Sequence, residues 1–272
     1  MYKNFKVEDN KPEPALVPLD LNRYAELFCC GEHSKILDYY QHFFAIMDKS
    51  IYQPYFILGA KSKTVSFKLA PGESIVIDLS DEIDNGQIIY FETDTRYSEE
   101  TTKTELILKH GNSPFHHYLI SPCFCFYCYP RGEVHKSQSI PYELHILFFT
   151  KDQYSDFALR QLSNAIYSMQ TENFVDCVLK TQIACENLLR RNLPKRLREE
   201  VTYKELINRL KDKYEKLPIF PYIEELHEKR RVRNDILHFK REHIFTEEVC
   251  TNYIHISTLL YYFMKIENGV SK

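Results

Sequence analysis

The chain of 272 residues has no tryptophan and only 7 glycines. It contains neither a Gly-x-Gly-x-x-Gly nor a Gly-x-x-x-x-Gly-Lys stretch, which excludes the usual glycine-rich phosphate loops of nucleotide-binding folds. No apolar run reaches the length of a bilayer span, so no membrane partner is expected. The first ten residues lack the apolar core of a secretory leader, so the expected location is the cytoplasm and the expected state of the cysteines is reduced. There is also no second Cys-x-x-Cys pair to complete a zinc site around Cys123, Cys125 and Cys128. On a strand, Cys123 and Cys125 share one face and Cys128 takes the other, so the run reads as a buried strand rather than a metal centre. No metal and no cofactor are expected.

Apolar residues make up 44% of the chain and aromatics 14%, enough to fill real cores. The net charge of −3 is unevenly divided: residues 1–150 carry −6 and residues 151–272 carry +3. The C-terminal half is therefore the half suited to nucleic acid.

Hydrophobic periodicity divides the chain into three parts. Residues 1–60 form an N-terminal segment. Residues 1–20, with Pro12, Pro14 and Pro18, read as an extended arm, and Leu21–Phe28 and Ser34–Met47 read as helices. Residues 61–150 change to period two. Strands are expected at Val65–Leu69, Ile75–Leu79, Ile88–Phe91, Leu106–Leu108, His117–Ile120, Cys123–Tyr129 and Leu144–Phe149. Turn chemistry at Pro71-Gly72, Asp84-Asn85-Gly86 and Ser121-Pro122 separates them, and the set reads as an antiparallel β-sandwich or half-open barrel. Residues 151–272 return to helical spacing. Five helices are expected there: Asp152–Met169, a second capped by Thr171 and ended by Pro194, Val201–Tyr214, Pro221–His238, and Thr246–Ile266 with Gly269 after its end. The expected fold class is α+β.

The fourth of these helices carries the chemistry. Ile223, Leu226, Val232, Ile236 and Leu237 give it an apolar spacing, and Arg233, Asn234, Asp235 and His238 sit between them. Arginine offers a planar, permanently charged fork for phosphate oxygens, and histidine exchanges a proton near neutral pH. Five residues turn an ideal helix through about 500°, so Arg233 and His238 point about 140° apart, whereas Asn234 and His238 share a face. Lys229, Arg230, Arg231, Lys240 and Arg241 flank the cluster and suit an RNA backbone. A second basic group, Arg190, Arg191, Lys195, Arg196 and Arg198, reads either as another backbone track or as cations stabilising a helix C-terminus.

The run Arg233-Asn234-x-x-x-His238 resembles the signature of the HEPN superfamily, small helical bundles that include metal-independent ribonucleases of bacterial toxin and antiphage systems. The stretch Ala184-Cys185-Glu186-Asn187-Leu188-Leu189-Arg190 is similar to the acidic-then-leucine segment in the first half of such domains. The resemblance covers about residues 153–266. It implies a four- or five-helix bundle that dimerises so that two copies of the motif line one cleft. It also implies RNA as the partner and cleavage by attack of the ribose 2′-oxygen, with Arg233, Asn234, Asp235 and His238 as the catalytic set. Some relatives carry a tyrosine two residues after the histidine, where a partner enzyme attaches nucleotide. Here that position is Lys240, so silencing by that route is not expected. A different class of function stays open beside this one: a catalytically silent bundle that only dimerises or binds, with a ligand sensed by the β domain.

Overall fold

A computed structural model gives the fold, and it describes residues 5–9, 55, 58–95, 104–108, 120–130, 139–214 and 222–270. The chain is a mixed α+β protein of two compact units. One unit comprises Met1–Pro14 and Gly59–Ser155, the other Ala15–Leu58 and Asp156–Lys272. The change of unit along the chain falls at Ser155, close to the expected boundary at residue 150. The helices expected at Leu21–Phe28 and Ser34–Met47 lie outside the described residues.

The first unit holds seven strands among the described residues: β1 (Phe5–Asp9), β2 (Lys61–Leu69), β3 (Ser74–Asp78), β4 (Gln87–Thr95), β5 (Thr104–Leu108), β6 (Cys123–Pro130) and β7 (Ile140–Phe149). They form two antiparallel sheets, ordered β1-β2-β7-β4 and β3-β6-β5. β1 lies in the stretch expected to be an arm; it pairs with β2, Phe5 opposite Phe67. Of the strand expected at His117–Ile120, only Ile120 is described, and it is not in a strand.

Alternation sets the core, because successive side chains leave opposite faces of a strand. Val65, Phe67 and Leu69 of β2 point inward together with Ile75 and Ile77 of β3, Phe124, Phe126 and Cys128 of β6, and Tyr142, Leu144 and Ile146 of β7. Rings of the two sheets meet directly: Phe67 stacks on Phe126 at 5.4 Å, and Phe91 meets Phe124 edge-on at 5.1 Å. The Cys128 thiol lies 3.2 Å from the Tyr142 hydroxyl, on the face opposite Cys123 and Cys125. A bulge at Ile88–Tyr90 shifts the β4–β7 register, so Ile88 and Ile89 are both buried despite being neighbours. Helix α1 (Lys151–Ser155) closes this unit, and the Gln153 side chain donates to the Gly59 carbonyl at 2.8 Å.

The second unit contains α2 (Phe157–Gln170), α3 (Phe174–Arg191), α4 (Tyr203–Tyr214), α5 (Ile223–Leu237) and α6 (Glu247–Val270). The single helix expected over Asp152–Met169 is broken at Asp156, whose carboxylate accepts from the Ala158 and Leu159 N–H groups and starts α2 afresh. Thr171 ends α2 rather than capping α3. The N-cap of α3 is Asn173, after Glu172 turns the chain with φ +58°. Thr202 and Glu205 form a reciprocal capping box at the start of α4: the Thr202 N–H donates to Glu205 Oε2 at 2.7 Å and the Glu205 N–H donates to Thr202 Oγ1 at 3.3 Å. Helix α6 runs on past the expected end and includes Gly269. Buried Cys177, Cys185, Leu188, Leu206, Ile207, Leu226, Ile254 and Phe263 form the apolar interior to which these helices contribute. No described helix is long and apolar enough to cross a membrane.

Candidate functional site

Helix α5 owes little to hydrophobic patterning. Its buried residues are only Leu226 and Lys229, so polar contacts must fix much of its position. Arg233 supplies one. Its guanidinium lies 3.0 Å from Glu186 Oε2 on α3 and 5.8 Å from the centroid of the Tyr203 ring on α4. The other carboxylate oxygen of Glu186 accepts from Arg190 one turn along α3. One carboxylate therefore joins the acidic-leucine stretch of α3 to the arginine of the motif. Sequence placed both segments in one domain; it gave no sign that they touch. Tyr203 is buried and donates to Gln182 Oε1 at 3.1 Å. Burial first, then the nearby Cys185 and Glu186, hold its hydroxyl protonated well above the ordinary range of tyrosine. Arg233 Nε is buried without a hydrogen-bond partner.

Lys229 differs from what the sequence suggested. It was expected beside the RNA backbone, yet only 5% of it is exposed. Its ammonium donates to Asn252 Oδ1 at 2.6 Å and stands 3.5 Å from the centroid of the Tyr253 ring. Burial lowers its pKa to about 8, against smaller opposing effects of Cys185 and Glu228. Lys229 docks α5 on α6 and is removed from the surface set. A spacing of four from Arg233 was the available signal, since it puts both side chains on the inward face.

The rest of the basic set stands together. Arg230, Arg231, Lys240 and Arg241 line an open cleft of about 590 Å³ with Asn234 and Asp235. Four cations face one carboxylate, and that carboxylate is engaged: His243 Nε2 lies 3.4 Å from Asp235 Oδ2, at ion-pair distance but without hydrogen-bond alignment. His243, stacked at 5.9 Å on Phe245, belongs to the site and was missed, because it follows the helix in a stretch with no periodic pattern. The cleft is thus a cationic surface suited to a string of phosphates.

His238 ends α5. It is the C-cap, with φ −106° and ψ 10°, its N–H donates to the Asn234 carbonyl at 3.0 Å, and its imidazole is exposed. Of the four residues expected to be catalytic, the structure brings Asn234 and Asp235 to the cleft and leaves His238 exposed at the helix end. Arg233 is turned toward Glu186 instead. Among the described contacts none joins Arg233 to His238.

The second basic group resolves differently. Arg190 donates to the carbonyls of Arg198 and Val201, at 2.8 Å to the latter. Arg191 grips Asp156 with both terminal nitrogens at 3.1 and 2.9 Å. Arg198 donates to the Leu193 and Arg191 carbonyls at 3.0 Å each. These three arginines close the end of α3 rather than track a backbone. Lys195 and Arg196 remain exposed on a short 3-10 turn, Lys195–Leu197. No protein-family model, curated protein or solved structure matches the chain.

Proposed function

We propose that the helical unit is a HEPN-like bundle that binds RNA in the cleft of Arg230, Arg231, Lys240 and Arg241 and cuts it without a metal. The observation that carries this reading is the cleft itself: four cations gathered around α5, the helix that bears the Arg-Asn-x-x-x-His run and ends in an exposed imidazole. In this reading the cations hold consecutive phosphates and His238 takes the proton from a ribose 2′-hydroxyl. The 2′-oxygen attacks phosphorus, the bond to the 5′-oxygen breaks, and that oxygen takes a proton from solvent water, to which His238 later returns its own. The products are a 2′,3′-cyclic phosphate and a free 5′-hydroxyl. Asn234 lies on the His238 face of the helix and orients the ribose or the ring. A second copy of the chain, docked through the same unit, completes the cleft, and the β unit, read as a sandwich, senses a trigger or restrains the nuclease. A bacterial toxin or antiphage setting follows from the resemblance alone.

One observation favours a silent binding bundle instead: the Arg233 fork is engaged by Glu186 and Tyr203, so it serves the fold. Incubation of a mixed RNA pool with the full chain in excess EDTA, beside Arg233→Ala and His238→Ala, separates the two. Cleavage by the parent and not by His238→Ala, leaving cyclic phosphate ends, supports the nuclease. RNA binding that survives His238→Ala with no cleavage by any form supports the silent module.

A further inference from the structure

The turn that follows α5 is built in an unusual way. The Phe239 N–H donates to the Ile236 carbonyl at 3.2 Å and the Lys240 N–H donates to the Asp235 carbonyl at 3.0 Å. These paired bonds, closing four- and six-residue loops at a helix end, make a Schellman motif. Its left-handed position ordinarily takes glycine, or sometimes asparagine. Here it is a phenylalanine with φ +52°. A large L side chain is disfavoured there, because its Cβ crowds the following carbonyl. Such a placement is usually repaid by burying the ring, yet Phe239 is 96% exposed. The partner positions that normally make an apolar contact across this motif are Asp235 and Lys240, both lining the cleft. The ring therefore contributes nothing to the core. It is held out on a rigid, doubly hydrogen-bonded turn, directly before two of the four cations of the cleft.

We propose that Phe239 is a stacking platform for an unpaired base, so that the cleft takes single-stranded rather than duplex RNA. This rests on the RNA reading above. An exposed ring beside a phosphate-binding groove is the arrangement by which single strands are held. The cations take the backbone, and the ring takes any base, since every base presents a π face. In a duplex the bases are already stacked on one another and cannot reach the ring. The charge around the ring favours a polyanion over an apolar protein partner: Lys240 and Arg241 follow it immediately, and both are exposed. Ile244, 94% exposed five residues on, is the feature that a protein partner would use instead.

The test is binding of the full chain to fluorescent 2′-O-methyl oligoadenylate of about twelve nucleotides, a strand that cannot be cut by 2′-oxygen attack, and to a blunt duplex of the same length. The variants are Phe239→Ala, Phe239→Trp and Phe239→Gly, with molar mass followed by light scattering. Phe239→Ala should weaken single-strand binding roughly tenfold and leave duplex binding unchanged. Phe239→Trp should restore the affinity. Phe239→Gly should fold at least as stably as the parent, because it relieves the left-handed position, while binding as weakly as the alanine form. Equal single-strand affinity of parent and Phe239→Ala overturns the platform and leaves the RNA reading intact. Absence of any RNA binding by the parent removes both. A lower molar mass of Phe239→Ala, with or without weaker binding, overturns the platform in favour of a contact between copies of the chain.

Discussion

Two arginine-rich stretches lie within the same helical unit, one from Arg190 to Arg198 and one from Lys229 to Arg241, and they do opposite things. In the first, Arg190, Arg191 and Arg198 find carbonyls or carboxylates at the end of α3 and the start of α2. In the second, Arg230, Arg231, Lys240 and Arg241 converge on open solvent. Each stretch carries four arginines. The difference lies in what surrounds each. A helix end supplies unsatisfied carbonyls that a guanidinium fork can close, so arginines there are absorbed by the fold. The end of α5 is instead closed by its own backbone, in the turn at Phe239, and its cations are left over for a ligand. Two residues of the second stretch cross the line. Lys229 and Arg233 face inward, and each takes a fixed partner, Asn252 for the lysine and Glu186 for the arginine.

The largest effect expected from this division belongs to Arg190→Ala. The change leaves two carbonyls and one side of Glu186 without their donor, and should destabilise the protein by about 3–4 kcal/mol. It should do so without altering the salt dependence of RNA binding by the material that remains folded. Denaturant unfolding followed by circular dichroism measures the first effect. A loss of less than about 1 kcal/mol would break the comparison.

Lys229 sharpens it from the other side. Its folded pKa of about 8 lies below the ordinary 10.5, so the unfolded chain binds more protons between those values. The penalty for a buried charge is complete below pH 8 and is relieved as pH rises toward 10.5. Lys229→Met removes the titration. The parent should therefore gain stability relative to the variant across that window, by about 3 kcal/mol in all. Buried Tyr203, whose shift acts in the opposite sense above pH 10 and does not depend on Lys229, affects both proteins alike and drops out of the difference. A flat difference between pH 8 and 10.5 would place Lys229 at the surface with the binding set.

Arg191→Ala should cost less, about 1–2 kcal/mol, because Asp156 keeps its two backbone donors. Burial pushes the Asp156 carboxyl up, but the Arg191 hydrogen bond and charge, with the N–H groups of Leu159 and Ala158, more than offset this and hold it below the ordinary 3.8. A carboxylate depressed in the folded state stabilises above its unfolded pKa and loses that contribution as pH falls below it. Acid titration of the unfolding midpoint should therefore be shallower in Arg191→Ala than in the parent.

Much of the architecture was legible in the sequence because it rests on periodicity. The switch from period two to helical spacing near residue 150 and the inward runs of β2, β6 and β7 follow from alternation alone. The break at Asp156 was not legible, because an aspartate inside an apolar-periodic run reads as a solvated position until its carboxylate is seen accepting two N–H groups. β1 was missed because five polar-apolar residues near prolines gain their strand character only from β2 beside them. At the site, helical spacing set Arg233 apart from His238 and put Asn234 with the histidine. It could not say that the inward face of α5 would hold cations. Lys229 and Arg233 needed Asn252, Tyr253, Glu186 and Tyr203 to be placed as they are, and those partners are 23 to 47 residues distant in sequence. The Phe239 turn lay beyond reach for a related reason: its left-handed φ breaks the rule that would have placed glycine there.

The smallest effect is the most discriminating. Arg241→Ala removes an exposed side chain that has no partner among the described residues, so stability should stay within about 0.5 kcal/mol of the parent. If Arg241 holds a phosphate, its removal releases one fewer counterion on binding. The slope of log affinity against log salt should then fall by about 0.7 for a single strand, and affinity near 0.1 M salt should fall roughly fivefold. The same measurement on Arg196→Ala, an equally exposed arginine of the first stretch, should show no change in slope. Equal slopes for both variants would mean that binding depends on the charge of the whole unit. A change confined to Arg241 would locate it in the cleft at the end of α5.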